Sequence, residues 1–407
     1  VTAPDAAAGD AQPPALSHLA LFVRFLRIGV QAFGGPVAQI AMIRRELVEE
    51  ERWISSHRFN RLLAVMQVLP GPEAHELCVH LGIRAKGRLG GLLAGLGFML
   101  PGLTLMLLLA WAYTRLPIQG TWLGAVFLGV QVAVLAVIVR AVHRIGEHVL
   151  LDARLWLAAG AVGLASLLGV AFWIALPAAG AAYALAAAGR AGPALAVVAG
   201  AALLALALAF GRGEAPAAAA AVAVASEATT PDAAALFWSG LKAGLLTFGG
   251  AYTAIPFVRD DTVGRGWISD AQFLDGLGLS GVLPAPLVIF ATFVGWLSGG
   301  AAGALAMTAG MFLPAFAFSL LLYERLEGVA DRRGLQTFLA GVAAGVVGLI
   351  AVTLVELARS TAERTPDLPV GLALFAAALL VMYLWKSKLA TPAVLALGAA
   401  AGFALLR

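Results

Sequence analysis

Apolar runs of helical length follow one another along the chain with short polar interruptions. They lie at about 17–40, 62–82, 89–113, 120–142, 154–170, 172–188 and 193–210. An Ala-rich stretch carrying Glu214, Pro216, Glu227, Pro231 and Asp232 intervenes, and further runs follow at about 236–258, 272–297, 299–324, 335–358, 369–385 and 389–406. Runs of this length, without strand-like alternation, predict helices that enter or cross a bilayer. The pattern therefore predicts an all-α polytopic membrane protein with seven apolar segments before the Ala-rich stretch and six after it.

The two sets echo each other. Phe33-Gly34-Gly35 returns as Phe248-Gly249-Gly250, and Arg27 and Lys242 each stand six residues before the Phe. Trp53-Ile54-Ser55 matches Trp267-Ile268-Ser269, and Pro70-Gly71-Pro72 matches Pro284-Ala285-Pro286. Gly87, Gly90 and Leu100-Pro101 match Gly300, Gly303 and Leu313-Pro314. The offset drifts only from 215 to 213, an ordered series that reads as an internal duplication. The expected organisation is a disordered cytosolic tail over 1–15 without a cleavable signal, a first membrane repeat over 16–210, a linker over 211–235 and a second repeat over 236–407. The odd number of segments in the first half predicts that the second half is inverted, as in many transporters.

Four segments carry Gly or Pro near their middles, the two with Phe-Gly-Gly and the two with Pro-x-Pro, and these can either cross or re-enter. Basic loops stay cytoplasmic. Of the 24 Lys and Arg outside the apolar segments, thirteen full crossings put 14 inside and 10 outside, whereas nine crossings with four re-entrant segments put 17 inside and 7 outside. The re-entrant arrangement is favoured. Residues 24–88 hold ten Lys and Arg and the equivalent 237–301 hold three, the asymmetry that inversion predicts.

Composition agrees. The 407 residues are 61% hydrophobic and 12% charged, with mean hydropathy +0.91, against roughly 25% charged in soluble domains. A net charge of +4 is, in such a chain, a matter of cytoplasmic loops and not of nucleic-acid binding. The single cysteine, Cys78, excludes an intrachain disulfide and a cysteine-based metal site.

Candidate chemistry lies at the breaks. A cation within hydrocarbon costs about 2.5–3.5 kcal/mol on insertion scales and usually faces a protein interior or a water-filled path. Arg27 and Lys242, at matched positions, would offer two positive charges to one dianion. Gly34-Gly35-Pro36 and Gly249-Gly250 let the backbone open, and a helix starting there turns its positive end toward an anion. The prolines Pro70, Pro72, Pro284 and Pro286, with Gly71, free carbonyls beside them. Phe33 and Phe248 complete the expected substrate lining. Glu73, His75 and Glu76 follow the first Pro-Gly-Pro and are candidates for coupling, because intramembrane acids mark ion or proton paths. His75 and His80 are five residues apart, the wrong spacing for a zinc-protease helix. The stretch from Arg44 to Arg61 reads as an amphipathic surface helix with Trp53 as its interface anchor. No metal, cofactor or enzymatic motif is expected.

Phe-Gly-Gly-Pro, Trp-Ile-Ser, Val-Leu-Pro-Gly-Pro and the later Leu-Pro, repeated more weakly in the second half, resemble the chromate ion transporter family in its long, two-domain form. The resemblance covers roughly 17–113 and 236–324, and the second copy departs from it at Ala251 and Ala285. It implies an inner-membrane protein that exports chromate from the cytoplasm and confers resistance, with sulfate as a close analogue. The expected partners are the oxyanion and the lipid bilayer, with room for a homodimer. A transporter of another oxyanion keeps every feature above, and an intramembrane metal-dependent enzyme is the remote alternative.

Overall fold

The computed structural model describes residues 13–66, 70–118, 120–211, 230–248, 250–322 and 333–406, and these are helical with no strand among them. In the first half come α1 (His18–Val30), α2 (Gly35–Arg44) running on into a π-helical stretch (Arg45–Glu50), α3 (Ser56–Met66) and α4 (Glu73–Tyr113). They are followed by α5 (Trp122–Val149), α6 (Ala153–Leu167), α7 (Phe172–Ala187) and α8 (Ala191–Gly211). The second half has α9 (Ala233–Leu245), a 3-10 turn (Ala251–Ala254), α10 (Ile255–Thr262) and α11 (Asp270–Val282). A second 3-10 turn (Leu287–Ile289) then leads into α12 (Phe290–Leu322), α13 (Arg333–Arg364), α14 (Leu368–Leu384) and α15 (Ala390–Leu405). The chain is thus an all-α polytopic membrane protein. Among the described residues five helical stretches are long and apolar enough to cross a bilayer, and four shorter apolar helices accompany them.

The broken segments are half-length helices. α1 has 13 residues, about 20 Å at 1.5 Å per residue, short of the roughly 30 Å hydrocarbon core. The chain then turns back, because Arg24 on α1 meets Glu46 at 3.0 Å and also pairs with Glu51, beyond the end of α2. Trp53 is fully buried, edge-on to Phe25 at 6.0 Å. The stretch 44–61 is therefore not a surface helix with an interfacial tryptophan: Arg52 takes φ +54°, and the chain bends there to fold Trp53 inward over α1.

The 41 residues of α4 also reverse. Lys86 and Gly87 leave helical geometry, Gly87 with φ +64°, and the two arms lie antiparallel so closely that a Cβ on Gly82 would stand 2.5 Å from the Gly90 carbonyl oxygen. α12 repeats this at Gly299 and Gly300, with φ +63° at Gly300 and 2.5 Å from a Cβ on Gly295 to the Gly303 carbonyl. Neither is one long span: only the outer arms, about 88–113 and 301–322, have spanning length.

Each short helix packs on its outer arm through matched glycines. A Cβ on Gly29 would lie 2.5 Å from the Phe98 carbonyl, and one on Gly244 lies 2.4 Å from that of Met311. The outer arms meet antiparallel, with Gly91 against Leu320 and Gly95 against Phe316. The turn at Lys86–Gly87 and the turn at Gly299–Gly300 therefore lie at opposite ends of this pair. Beyond them, α5 packs along α14 and α15 of the second half, and α13 packs along α6 and α7 of the first. Gly129 against Gly398 and Gly348 against Ala159 bring backbones together there, the small-residue packing that membrane interiors use in place of a hydrophobic driving force.

Candidate functional site

Each break ends where a helical stretch begins without a side-chain cap. The cap positions are Gly34 before α2, Pro72 before α4, Gly250 before the 251–254 turn and Pro286 before the 287–289 turn, and none supplies a side-chain acceptor. Away from the breaks, Ser17, Thr121, Asp152, Asp232, Ser269 and Asp367 cap the starts of α1, α5, α6, α9, α11 and α14, whereas Ala171 and Leu389 leave those of α7 and α15 uncapped. An uncapped helix start leaves backbone N–H groups pointing outward with a partial positive charge. Gly34 has φ +89°, and a Cβ there would lie 2.7 Å from the Lys388 carbonyl, so only glycine fits. Pro36 sits in the first turn of α2, whereas the second half inserts the 3-10 turn before Pro256 takes that role. Gly249 lies outside the described residues.

The breaks of one half touch those of the other. The Gly71 N–H donates to the Thr247 carbonyl at 2.9 Å, beside Phe248. On the other side, Gln39 Nε2 on α2 donates to the Ala32 and Ala285 carbonyls, both at 2.8 Å. Small residues are exchanged across this contact. A Cβ on Gly71 would stand 3.1 Å from the Ala315 Cβ, and a Cβ on Gly102 only 2.2 Å from the Ala285 Cβ. Gly71 and Ala285 occupy matched positions, as do Gly102 and Ala315, so each contact has one methyl group and one glycine. The departure at Ala285 is compensated by Gly102. Residues 70–72 and 284–286 are all buried, while Phe33, Gly34, Gly35, Pro36, Phe248 and Gly250 are partly so.

Glu73, His75 and Glu76 are buried in the first turn of α4. His75 is walled in by Phe312 and Phe316 of α12 at 5.1 and 4.6 Å and by Phe98 at 6.4 Å. Both Glu76 carboxylate oxygens are inaccessible and lack a hydrogen-bond partner among the described residues. One faces the Gly71 turn, 2.6 Å from where a Cβ would stand.

Arg27 and Lys242 have unlike surroundings. Arg27 is exposed, and its side chain makes no hydrogen bond or ion pair with a described residue. Lys242 pairs with buried Asp261 at 2.5 Å and lies over the Phe172 ring at 5.6 Å. Asp261 is the counterpart of Glu46 at offset 215, so each short-helix pair is closed by an ion pair, with Arg24 as the cation in one and Lys242 in the other.

The Chromate transporter family model matches residues 19–226 and again 234–403. The chain belongs to the chromate transporter family. It is 62% identical over 397 residues to a chromate transport protein of Pseudomonas aeruginosa, covering 97% of this chain and 94% of that one. It is 32% identical to one of Cupriavidus metallidurans, covering 92% and 90%, and 29% identical to a probable chromate transport protein of Synechococcus elongatus, covering 96% of each. No solved structure matches this member of the family.

Several polar residues of this chromate transporter family member escape sequence reading. Gln39, Thr247 and the Tyr113–Gln131–Asp275–Arg364 cluster leave no repeat signature. Glu46 and Asp261 do, as acids at matched positions. Among the described residues no group of three or more His, Cys, Asp or Glu is placed to hold a metal ion.

Proposed function

We propose that this protein exports chromate, a tetrahedral dianion, from the cytoplasm across the inner membrane and so confers chromate resistance. Full-length relatives named as chromate transport proteins support the substrate. The observation that carries the reading is the set of four uncapped helix starts at breaks that touch across the two halves. Half-helix N-termini aimed at a buried site are how transporter folds hold anionic groups without a full counter-charge.

In this reading residues 16–210 and 236–407 are inverted repeats joined by a linker over 211–235, with nine crossings and four re-entrant segments. The antiparallel outer arms and the opposed turns at Gly87 and Gly300 support it. Phe33, Gly34, Gly35, Pro36, Pro70, Gly71 and Pro72 line the site from one repeat. Phe248, Gly249, Gly250, Pro284 and Pro286 line it from the other, with Arg27 and Lys242 as flanking cations. Glu76, unpartnered beside Gly71, together with Glu73 and His75, exchanges a proton or cation as the anion moves, since an ionised carboxylate buried without partners is costly. The protein moves its substrate and does not transform it.

Moving one charge down a membrane potential releases about 2.3 kcal/mol per 100 mV, so about 4.6 kcal/mol for an exported dianion. Chromate flux into proteoliposomes should rise with a potential positive inside the vesicle and fall when it is reversed. Flux indifferent to potential would overturn the potential-driven mechanism. The second reading, a carrier of another oxyanion such as sulfate, predicts that sulfate competes out chromate flux at concentrations well below those at which chromate competes out sulfate flux.

A further inference from the structure

A polar cluster separate from the breaks joins both halves near the end of α4 farthest from its Lys86–Gly87 turn. Asp275 on α11 is 2% exposed. It accepts from the Tyr113 hydroxyl at 2.7 Å and from Gln131 Nε2 at 2.7 Å. The Gln131 Oε1 in turn accepts from Arg364 Nη1 at 2.8 Å. Arg364 also donates through Nε to the Ser360 carbonyl at 3.0 Å, within its own helix. A guanidinium has five N–H groups, and these two bonds leave three uncommitted among the described residues. No carboxylate of a described residue lies at ion-pairing distance from it. Arg364 and Gln131 form part of the wall of an open cavity of about 930 Å³, together with Trp122, Leu128, Phe403 and Leu406.

An arginine at a helix C-terminus often does no more than cap carbonyls, and the Ser360 bond is of that kind. The Nη1 bond is not, since it leaves α13 for α5. It also holds the guanidinium one neutral amide away from Asp275, so the positive charge is neither cancelled by direct pairing nor free of a nearby negative one. Planar N–H pairs of this kind bind tetrahedral oxyanions bidentately. A site on an export path has to be weak enough to release its ion, and Asp275 supplies like-charge repulsion toward any anion at Arg364.

We propose that this cavity is a second binding site for tetrahedral oxyanion dianions, with Arg364 as the ligand and Asp275 setting its affinity low. It rests on the oxyanion-transport reading and deepens it: in the nine-crossing arrangement the cavity opens on the external face, where exported anion departs.

Equilibrium binding of radiolabelled sulfate and of chromate to the purified full chain in lipid nanodiscs tests it. Arg364→Ala should weaken one class of sites about tenfold, the loss of one or two charge-assisted hydrogen bonds. Asp275→Asn should tighten the same class by about threefold or more, which misfolding does not mimic. Wild-type binding with neither variant altering it overturns the second site and leaves the transport reading standing. A wild-type protein that binds neither sulfate nor chromate overturns both.

Discussion

The Gly71–Ala315 and Gly102–Ala285 contacts show how a duplicated site tolerates divergence at single residues. Gly71 takes φ +145° and its position faces Glu76, so an alanine there is both strained and obstructed. Its counterpart Ala285 is accommodated only because Gly102 gives up its methyl group. Gly102→Ala should therefore destabilise by about 1–3 kcal/mol through overpacking, read as a lower melting temperature in detergent. Adding Ala285→Gly should recover at least half of the loss, and an additive double variant would show that the exchange has no energetic meaning. The glycine–proline breaks were legible from sequence because backbone constraint leaves a residue signature. The exchange was not, since it pairs residues from different helices, and Gly102 carries no mark that distinguishes it from a packing glycine. Gln39 was hidden for the same reason: its two carbonyl partners, at Ala32 and Ala285, are brought to it by folding alone.

At the scale of elements, the ion pairs define what the intramembrane cations do. Matched spacing led the sequence to pair Arg27 with Lys242, but Glu46 and Asp261 are equally matched, and the structure joins them to Arg24 and Lys242. Between the halves the cation shifts by three residues, nearly one helical turn, from position 24 on α1 to the equivalent of position 27 on α9, and each meets its acid. Breaking a buried pair by removing one partner leaves an uncompensated charge. Asp261 is 3% exposed, whereas the Lys242 side chain is about a third exposed and Arg265 stands 3.4 Å from the same oxygen. Lys242→Gln should therefore cost about 1–3 kcal/mol, below the usual range for a fully buried pair. The double variant Lys242→Gln with Asp261→Asn should regain most of that stability. Chromate flux then separates the two roles of Lys242: flux that returns with stability marks a clamp that holds α9 to α10, and flux that stays lost in a stable protein marks a substrate ligand.

At the scale of the molecule, composition and apolar runs were enough to read an all-helical membrane protein, and the ordered Gly, Pro and Trp matches were enough to read a duplication. The apolar runs also part at 83–88 and at 298, where α4 and α12 fold back on themselves; what they could not convey is how closely the two arms of each pack. Gly87 stands in the basic interruption 83–88 and Gly300 at the junction of two apolar runs, but the positive φ that carries each helix through its turn is invisible when glycine is common. The reversal is what fixes the geometry, because it leaves one spanning arm in each half. Those arms run antiparallel, with Gly91 against Leu320 and Gly95 against Phe316, and about 20 residues of helix separate the two turns by roughly 30 Å. Arg88 and Ala301, each just past its turn and exposed, should then face opposite compartments. The chain has one cysteine, Cys78, and it is buried, so the native protein provides a quiet background. In intact cells a membrane-impermeant maleimide should label Ala301→Cys and spare Arg88→Cys, and permeabilisation should expose the second. Labelling of both from the same side would rule out the inverted arrangement, and with it the idea that two opposed sets of half-helices close on one anion from the two faces of the membrane.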